Sequence, residues 1–237
     1  MDDTPGYRPL YRQVRDILVK RIATGVWQAG QILPSEGDIA ADLGVSQGTV
    51  RKALDEMTAE NLVTRRQGRG TFVARHDDAR ILFQFFKLLP DTGERRFPES
   101  RVLSVHLGPE SEAARILDLA ETESVIRIER VRSLDEQPCI FEHIYLPESL
   151  FRGLDQRDLP NNLYQLYSVG YGVTIARATE RLKAVAAQKR EAKALGGAPG
   201  DPFLRIDRTA YALDSRPVEW RISLCRTESV HYLSDLR

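Results

Sequence analysis

The sequence predicts an α+β protein with two domains, a small helical domain that carries a β-hairpin and a larger domain built on an antiparallel sheet. Up to Glu60, apolar residues recur at the three- and four-residue spacing of amphipathic helices. Two short strands with a glycine-rich turn between them follow. From residue 81 onward, strands mix with helices in a pattern that occurs twice. The predicted domains are therefore residues 1–75 and 81–237, joined by a polar linker at 76–80.

The first two helices are marked by their apolar faces and their caps. Residues 8–24 form an amphipathic helix that stops near the glycine that follows. Ser35 is a suitable N-cap for the second helix, and Asp38 occupies the N3 position of a capping box. This helix runs to about Leu43, where Gly44 supplies the left-handed residue that ends it.

A third helix and a hairpin complete the first domain. Ser46 caps the third helix, which reaches about Glu60. The strands are predicted at Leu62 to Arg65 and at Thr71 to Ala74, and the tight turn between them is Arg66-Gln67-Gly68-Arg69-Gly70. The apolar stripe of the third helix is Val50, Ala53, Leu54 and Met57.

The second domain contains an internal repeat. Leu117 and residues 126–130 match Leu195 and residues 204–208 at a constant offset of 78 residues. Each copy consists of a helix, a strand, a polar turn, a proline and another strand, which predicts a duplicated α+β domain on an antiparallel sheet. The helices are expected at about 111–119 and 187–195, and the prolines are Pro138 and Pro217.

Composition excludes several classes of protein. Lys+Arg and Asp+Glu both number 34, which excludes a strongly basic chain but not one local basic surface. The cysteines, Cys139 and Cys225, have no metal-binding spacing, so we expect free thiols, no metal and no cofactor. The first residues do not resemble a signal peptide, and no apolar stretch approaches the roughly 20 residues of a membrane span. A cytoplasmic protein without a membrane partner is expected.

The first domain has the parts of a winged helix-turn-helix. Its third helix exposes Gln47, Thr49, Arg51 and Lys52, and the hairpin tip is surrounded by Arg65, Arg66 and Arg69. In a major groove, Arg can form a bidentate contact with guanine and Gln can form one with adenine. The hairpin glycines let the backbone approach a sugar-phosphate edge or a narrow minor groove. The residues alone leave a protein-docking module as an alternative.

Residues 8–74 resemble the DNA-binding domain of the GntR family of bacterial transcription regulators. The matching stretches are Pro9 to Tyr11, Leu33 to Glu36, Val45 to Leu54 and Gly68 to Val73. The family usually has Arg where this chain has Gly37, and often where it has Gln47, and both positions contact DNA in the family. At Arg51 and in the hairpin, this chain has the residues that are typical of the family. The DNA-binding residues inferred from the motifs and the resemblance are Ser35, Glu36, Ser46, Gln47, Thr49, Arg51, Lys52, Arg66, Gly68, Arg69 and Gly70.

Two strands of the second domain predict an anion-binding surface. One face of strand 125–133 carries Ile126, Ile128, Arg130 and Arg132, and one face of the strand after Pro138 carries Ile140, Glu142 and Ile144. If these faces meet, an apolar floor ends in two arginines and a glutamate, which suits a carboxylate or a phosphate. A salt-bridge cluster on an ordinary sheet surface is the alternative. Arg127, Glu129 and Arg205 are expected on a solvated face.

Residues 81–237 resemble the UTRA effector domain of the HutC subfamily of GntR regulators, which implies a chorismate lyase-like fold. The matching stretches include Arg130 to Arg132, Glu142 to Pro147, Leu163 to Tyr167 and Arg216 to Glu219. The resemblance implies effector contacts at Arg130, Arg132, Glu142, Tyr164 and Glu219, and Asn162 offers an amide beside them. Family effectors include sugar phosphates, amino-acid catabolites and fatty acids. The aromatic residue of the family's C-terminal strand falls on Val230, so that contact is absent or comes from Tyr232.

Together these features predict a regulator whose operator binding responds to a small anionic metabolite. A homodimer would place two third helices on a palindromic operator, and an effector would shift their placement through the linker. Most HutC-like proteins are repressors released by their effector. The rival classes are a ligand-independent DNA-binding protein and a lyase-like enzyme, for which the candidate groups His106, His143, His231 and Cys225 show no recognisable partner spacing.

Overall fold

The computed structural model describes residues 9–23, 25–60, 62–74, 85–94 and 96–234. The chain divides into two compact units, Met1–Asp78 and Ala79–Arg237. The linker predicted at 76–80 lies outside the described residues. None of the helices in these ranges combines the length and the apolar composition that crossing a bilayer requires.

Three helices and a hairpin form the first unit, as the sequence predicts. Helix α1 spans Leu10–Ala23, α2 spans Glu36–Leu43 and α3 spans Gln47–Ala59. Strands β1 (Val63–Arg66) and β2 (Gly70–Val73) pair antiparallel, each one residue away from its predicted bounds. Ile32 forms a β-bridge with Phe72 and so adds a third short segment to the hairpin.

The predicted caps are present in the structure. Ser35 Oγ accepts a hydrogen bond from the Asp38 N–H at 3.1 Å, and the Asp38 carboxylate accepts one from the Ser35 N–H at 3.2 Å. Gly44 ends α2 with φ of 64°. Ser46 Oγ accepts from the Thr49 N–H at 3.2 Å and so fixes the start of α3. These bonds satisfy backbone donors that a helix end would otherwise leave without a partner.

The core of the first unit lies where the predicted apolar stripes of α1 and α3 meet. Packing of these stripes holds the three short helices together, since helices of this length are marginal by themselves. The most deeply buried side chains are Val14, Leu18, Ile39, Val50, Ala53, Leu54, Met57 and Val63.

The second unit is built on a six-stranded antiparallel sheet. Its strands are β4 (Glu99–Pro109), β5 (Ser124–Leu134), β6 (Gln137–Pro147), β7 (Ile175–Ala186), β8 (Pro202–Ala212) and β9 (Pro217–Arg226), and their order is β4-β5-β6-β9-β8-β7. A separate pair joins β3 (Leu88–Pro90) to β10 (Val230–Tyr232). Helices α4 (Ser111–Ile116), α5 (Leu163–Tyr171) and α6 (Lys189–Ala194) complete the unit.

The strand order confirms the duplication that the sequence predicts. Strand β5 begins at residue 124 and β8 at residue 202, again 78 residues apart. Both strands carry an irregularity at the same point of the repeat, between Arg132 and Ser133 and between Ala210 and Tyr211. The repeating unit is strand-helix-strand-strand. The strand that opens each copy was not predicted, because β4 and β7 are edge strands in which exposed residues interrupt the apolar pattern.

Each face of the sheet is covered by different elements. One face carries Arg130, Glu142 and the apolar residues that pack against α5. The other face packs against α4 and α6 through two smaller apolar clusters. The expectation that Glu129 is solvated is therefore wrong: this residue is only 2% exposed, because Arg190 at the start of α6 covers it.

Candidate DNA-binding surface and effector site

Arg51 lies on the exposed side of α3, near the capped start of the helix. Arg51 is held by Glu36 on α2, with its Nε 2.9 Å from the carboxylate, and 61% of its side chain remains exposed. Arg65 donates to the other oxygen of Glu36 at 3.3 Å and pairs with Asp55 at 2.7 Å. Glu36 thus holds Arg51 on the outer surface of the first unit.

Two of the predicted DNA-binding residues on α3 have other contacts. The Lys52 ammonium lies 4.2 Å from the centre of the Tyr11 ring on α1, so it points to a different side of the helix from Arg51. The Thr49 hydroxyl lies 2.9 Å from Ser46 Oγ at the helix cap. Lys52 is therefore better placed for a phosphate contact than for reading a base, since consecutive helical residues are about 100° apart.

The hairpin has the shape that the sequence predicts for a wing. Gly68 and Gly70 adopt φ of 69° and 101°, a region that favours glycine, so the turn can be narrow. Arg69 is exposed at the tip, while the Arg66 guanidinium lies 4.9 Å from the centre of the Phe72 ring. Arg65 was expected beside the hairpin tip with Arg66 and Arg69, but its pairs with Glu36 and Asp55 direct it toward α2 and α3.

The predicted apolar floor with charged groups exists in the second unit. In the register of β5 and β6, Ile128 lies opposite Ile144, Arg130 opposite Glu142, and Arg132 opposite Ile140. Arg130 Nε donates to Glu142 at 2.6 Å, and both side chains are almost fully buried. Burial alone would raise the pKa of Glu142, but Arg130 and Arg221 hold it well below its usual range. Glu142 is therefore a buried carboxylate that stays ionised.

A second buried carboxylate lies beside the first. Glu219 accepts hydrogen bonds from Tyr164 at 3.0 Å and from Tyr167 at 2.9 Å, and pairs with Arg221 at 2.7 Å. Burial and the charge of Glu219 raise the pKa of Tyr164 to about 12, so this hydroxyl keeps its proton and acts as a donor. Tyr164 thus both packs in the core and binds a charged group.

Arg132 differs from the other buried arginines. It is 2% exposed and lies between the rings of Phe86 and Phe97, at 5.0 Å and 4.5 Å from their centres. Its hydrogen bonds go to Ser100 Oγ and to the Pro98 carbonyl, and within the described ranges no carboxylate forms an ion pair with it. Burial and the neighbouring Arg130 lower its pKa well below the usual value.

Several residues of this site have no signal that was recognised in the sequence. Arg208 and Arg221 lie opposite each other on the face of the sheet that carries Arg130 and Glu142, and with these residues they form a charged row. Arg208 pairs with Glu180 at 2.7 Å. The repeat contained a signal for Arg208, since it lies 78 residues after Arg130. Tyr232 donates to Glu180, and the Phe85 carbonyl accepts from Arg208. These contacts tie the segment that precedes β3 and strand β10 to the charged row.

A cavity of about 320 Å³ opens beside Glu180 at the β7 edge of the sheet. Its lining residues are Phe85, Lys87, Ala176, Arg177, Ala178 and Glu180, and none of them was among the predicted effector contacts. The Phe85 ring packs edge-on against Tyr164, with 5.4 Å between the ring centres. Phe85 therefore lies between the open cavity and the buried row.

The remaining predicted effector residue, Asn162, caps α5. Its Oδ1 accepts from the Gln165 N–H at 3.2 Å. The carbonyl of its neighbour Asn161 accepts from Arg130 at 3.4 Å, so the start of α5 lies beside the buried arginines. Val230 is buried and carries no aromatic ring, while Tyr232 is the aromatic residue of β10 that reaches the charged row.

The candidate catalytic groups are dispersed. His143 lies 3.4 Å from Glu129 on the opposite face, His231 contacts Asp91, and His106 is exposed on β4. Cys225 is fully buried, and burial raises the pKa of its thiol well above the usual value. Within the described ranges, no three His, Cys, Asp or Glu residues form a group that could hold a metal.

Comparison with known proteins agrees with both units. Residues 10–73 match the family described as bacterial regulatory proteins, gntR family, and residues 94–231 match the UTRA domain. The HTH-type transcriptional repressor NagR of Bacillus subtilis is 32% identical over 233 residues, which are 96% of each chain. The histidine utilization repressor of Pseudomonas aeruginosa is 29% identical over 210 residues, 86% of this chain and 82% of that protein.

A solved structure supports the fold of the second unit. The ligand-binding domain of a GntR-family transcriptional regulator from Bordetella bronchiseptica is 36% identical, with a TM-score of 0.61, and covers 65% of this chain and 98% of that chain. The class is thus a DNA-binding transcription regulator with an effector domain, not an enzyme. The chain belongs to the GntR family of bacterial regulatory proteins and carries a UTRA domain.

Proposed function

We propose that this regulator is a homodimeric repressor that acts in the cytoplasm and leaves a palindromic operator when a small anionic metabolite binds the second unit. The names of the relatives from Bacillus subtilis and Pseudomonas aeruginosa support repression. Two-fold symmetry in a protein dimer matches two-fold symmetry in an operator, which favours a palindrome. The segment at 76–80 would transmit the effector signal between the units.

The main support for an anionic effector is that, among the residues the structure describes, no carboxylate forms an ion pair with the buried Arg132. The charged row contains the buried cations Arg130, Arg132, Arg208 and Arg221, the buried carboxylates Glu142 and Glu219, and the partly exposed carboxylate Glu180. Glu142 is ion-paired with Arg130 and Arg221. Glu219 is ion-paired with Arg221, and Glu180 with Arg208. A buried charge without an opposite charge is unfavourable, and a bound carboxylate or phosphate would remove that penalty.

The surroundings of Arg132 select the ligand further. Its guanidinium is flanked by two aromatic rings, so an anion would approach its edge, where bidentate contacts form. On the same face of the sheet, Glu142 accepts a hydrogen bond from the Ser223 hydroxyl, and Glu219, which lies farther along β9 from Arg132, accepts one from the Tyr167 hydroxyl. Carboxylates accept equally from hydroxyl and ammonium groups of a ligand. A small metabolite that carries an anionic group at one end and hydroxyl or amino groups at the other fits these requirements.

Thermal-shift screening with sugar phosphates, amino-acid catabolites and fatty acids tests the effector site. A ligand should raise the unfolding temperature of the wild type and weaken its binding to operator DNA. Arg132→Met should weaken ligand binding by roughly tenfold or more, because charged hydrogen bonds are lost. Arg101→Met, at an exposed arginine of β4, is the matched control. Equal ligand affinity in Arg132→Met and the wild type would refute the assignment, and regulation that no ligand changes would favour a ligand-independent protein.

The DNA-binding surface is tested by two arginine substitutions. Arg51→Ala should cost about 1–3 kcal/mol of specific binding and relax sequence discrimination, because a base contact is lost. Arg69→Ala should weaken binding to specific and scrambled duplexes alike, because a wing contact to the sugar-phosphate edge carries little base information. Gel-shift titrations on both duplexes measure the effects. Unchanged specific affinity in Arg51→Ala would remove it from the base-reading surface.

A further inference from the structure

The cavity beside Glu180 lies between strand β7 and the segment before β3. Its volume of about 320 Å³ falls within the range of small-molecule sites, which is about 300–1,000 Å³. Two alanines of β7 and the ring of Phe85 give it apolar walls, and Lys87 and Arg177 give it two cations. The cavity therefore has the size and the mixed lining of a site for a small organic molecule.

A β-bulge accounts for the way in which β7 lines this cavity. Side chains of a regular strand alternate between the two faces of a sheet, so the consecutive residues 176–178 would not be expected beside one cavity. The pairing of β7 with β8 shifts its register between Ile175 and Arg177, which leaves Ala176 as the extra residue. Bulges redirect side chains and are frequent beside functional sites. The bulge thus explains why Arg177 lines the cavity together with both of its neighbours.

The carboxylate of the cavity already has a cation beside it, whereas the two cations lack a carboxylate. Glu180 pairs with Arg208 and accepts a hydrogen bond from Tyr232. In the part of the chain that the structure describes, neither Lys87 nor Arg177 forms an ion pair with an acidic residue. The cavity therefore presents a positive charge that an anionic ligand can neutralise.

The Arg177 guanidinium is oriented by an aromatic ring. It lies 3.6 Å from the centre of the Tyr211 ring, and the residue remains exposed. Stacking occupies the flat face of a guanidinium and leaves its N–H edge for paired hydrogen bonds with a carboxylate or a phosphate. Lys87, half-buried on the facing segment, adds a compact positive charge. A ligand bound by both cations would join β7 to the segment before β3.

The cavity is remote from Arg132. This arginine is on β5, and four strand spacings of about 4.8 Å separate β5 from β7, which amounts to about 19 Å. A ligand that fills the cavity therefore does not reach Arg132.

We infer that this cavity is a second ligand site, distinct from the one proposed at Arg132. It takes a small organic anion whose carboxylate or phosphate lies between Lys87 and Arg177 and whose apolar part packs against Phe85. Binding at this site depends neither on operator DNA nor on an anion at Arg132.

Isothermal titration of the full-length protein with phenyl phosphate and with benzoate tests the site. The two probes share an aromatic ring and differ in the anionic group, so binding of either one supports the site, and the tighter one identifies the preferred anion. Inorganic phosphate should bind more weakly than phenyl phosphate, because it lacks the apolar part. Lys87→Met and Arg177→Met should each weaken binding of the tighter probe about tenfold, because a charge-assisted hydrogen bond is lost.

Two other variants locate the probe. Arg181→Met, at an exposed arginine of β7 outside the cavity lining, is the matched control and should bind as the wild type does. Arg132→Met should also bind the probe normally, so failure of this site is distinguished from failure of the proposed effector site. Loss of binding in Arg132→Met but not in Lys87→Met would place the probe in the charged row and overturn the second site. Wild-type protein that binds neither phenyl phosphate nor benzoate, or equal affinity in Lys87→Met, Arg177→Met and the wild type, would overturn it as well.

Discussion

Glu142→Gln is the substitution that tests the buried charged row most directly. The change preserves the size of the side chain and removes its negative charge. Glu142 accepts from Arg130 at 2.6 Å and from Ser223 at 3.1 Å, and Arg221 lies 3.5 Å away. In the variant, Arg130 loses its ion pair. The amide NH2 group of the new glutamine side chain then faces Arg130 or Arg221, and neither cation can accept a hydrogen bond from it.

The expected loss follows from burial. Removing one partner of a buried ion pair typically costs about 3–5 kcal/mol, because the remaining charge stays desolvated. Glu142 is 3% exposed and its partner Arg130 is 2% exposed, so solvent cannot compensate. For a unit of this size, each kcal/mol lowers the unfolding temperature by about 2–4 °C, so the variant should unfold roughly 6–20 °C lower.

Differential scanning calorimetry of the full chain measures this shift in the transition of the second unit. Glu121→Gln, at an exposed glutamate in the turn before β5, is the matched control and should shift the transition by little. Far-UV circular dichroism below the transition establishes that both variants are folded. If Glu142→Gln and Glu121→Gln unfold at the same temperature, the buried pair does not stabilise the unit and the electrostatic reasoning is wrong.

Three further predictions concern other parts of the molecule. Ser46→Ala removes the acceptor for the Thr49 N–H and should lower the free energy of unfolding of the first unit by about 1 kcal/mol, as measured by urea unfolding. Ser215→Ala, in an exposed turn of the second unit, is the control and should leave the stability of the first unit unchanged. Burial lowers the pKa of His143, so the unfolded chain takes up the proton first and stability should fall as the pH drops through about 6.5. His143→Gln should make this loss between pH 7.5 and 5.5 smaller, and an identical loss in both proteins would contradict the assignment. Burial raises the pKa of Cys139 to about 11 and raises that of Cys225 well above its usual value, so both thiols should react with a disulfide reagent at pH 8 only after unfolding. Rapid reaction of the native protein would count against their burial.

The alternation of apolar and charged residues in the second unit predicted part of the site. Because side chains alternate along a strand, the pattern of β5 and β6 is sufficient to place Arg130, Arg132 and Glu142 on one face of the sheet. The same pattern could not show what covers the opposite face. The strand pattern predicted that Glu129 is solvated. In the structure, the packing of α6 buries this residue and brings Arg190 to it.

Elements whose causes are local could be predicted from the order of residues alone. The serine caps, the left-handed Gly44 and the glycines of the hairpin act within a few residues, so the helices and strands of the first unit could be predicted closely. The tertiary structure alone decided which distant side chains meet. It placed Arg132 between Phe86 and Phe97 and joined Glu180 to Tyr232. Such contacts depend on strand order and helix packing, which bring together residues that carry no local signal of their partners.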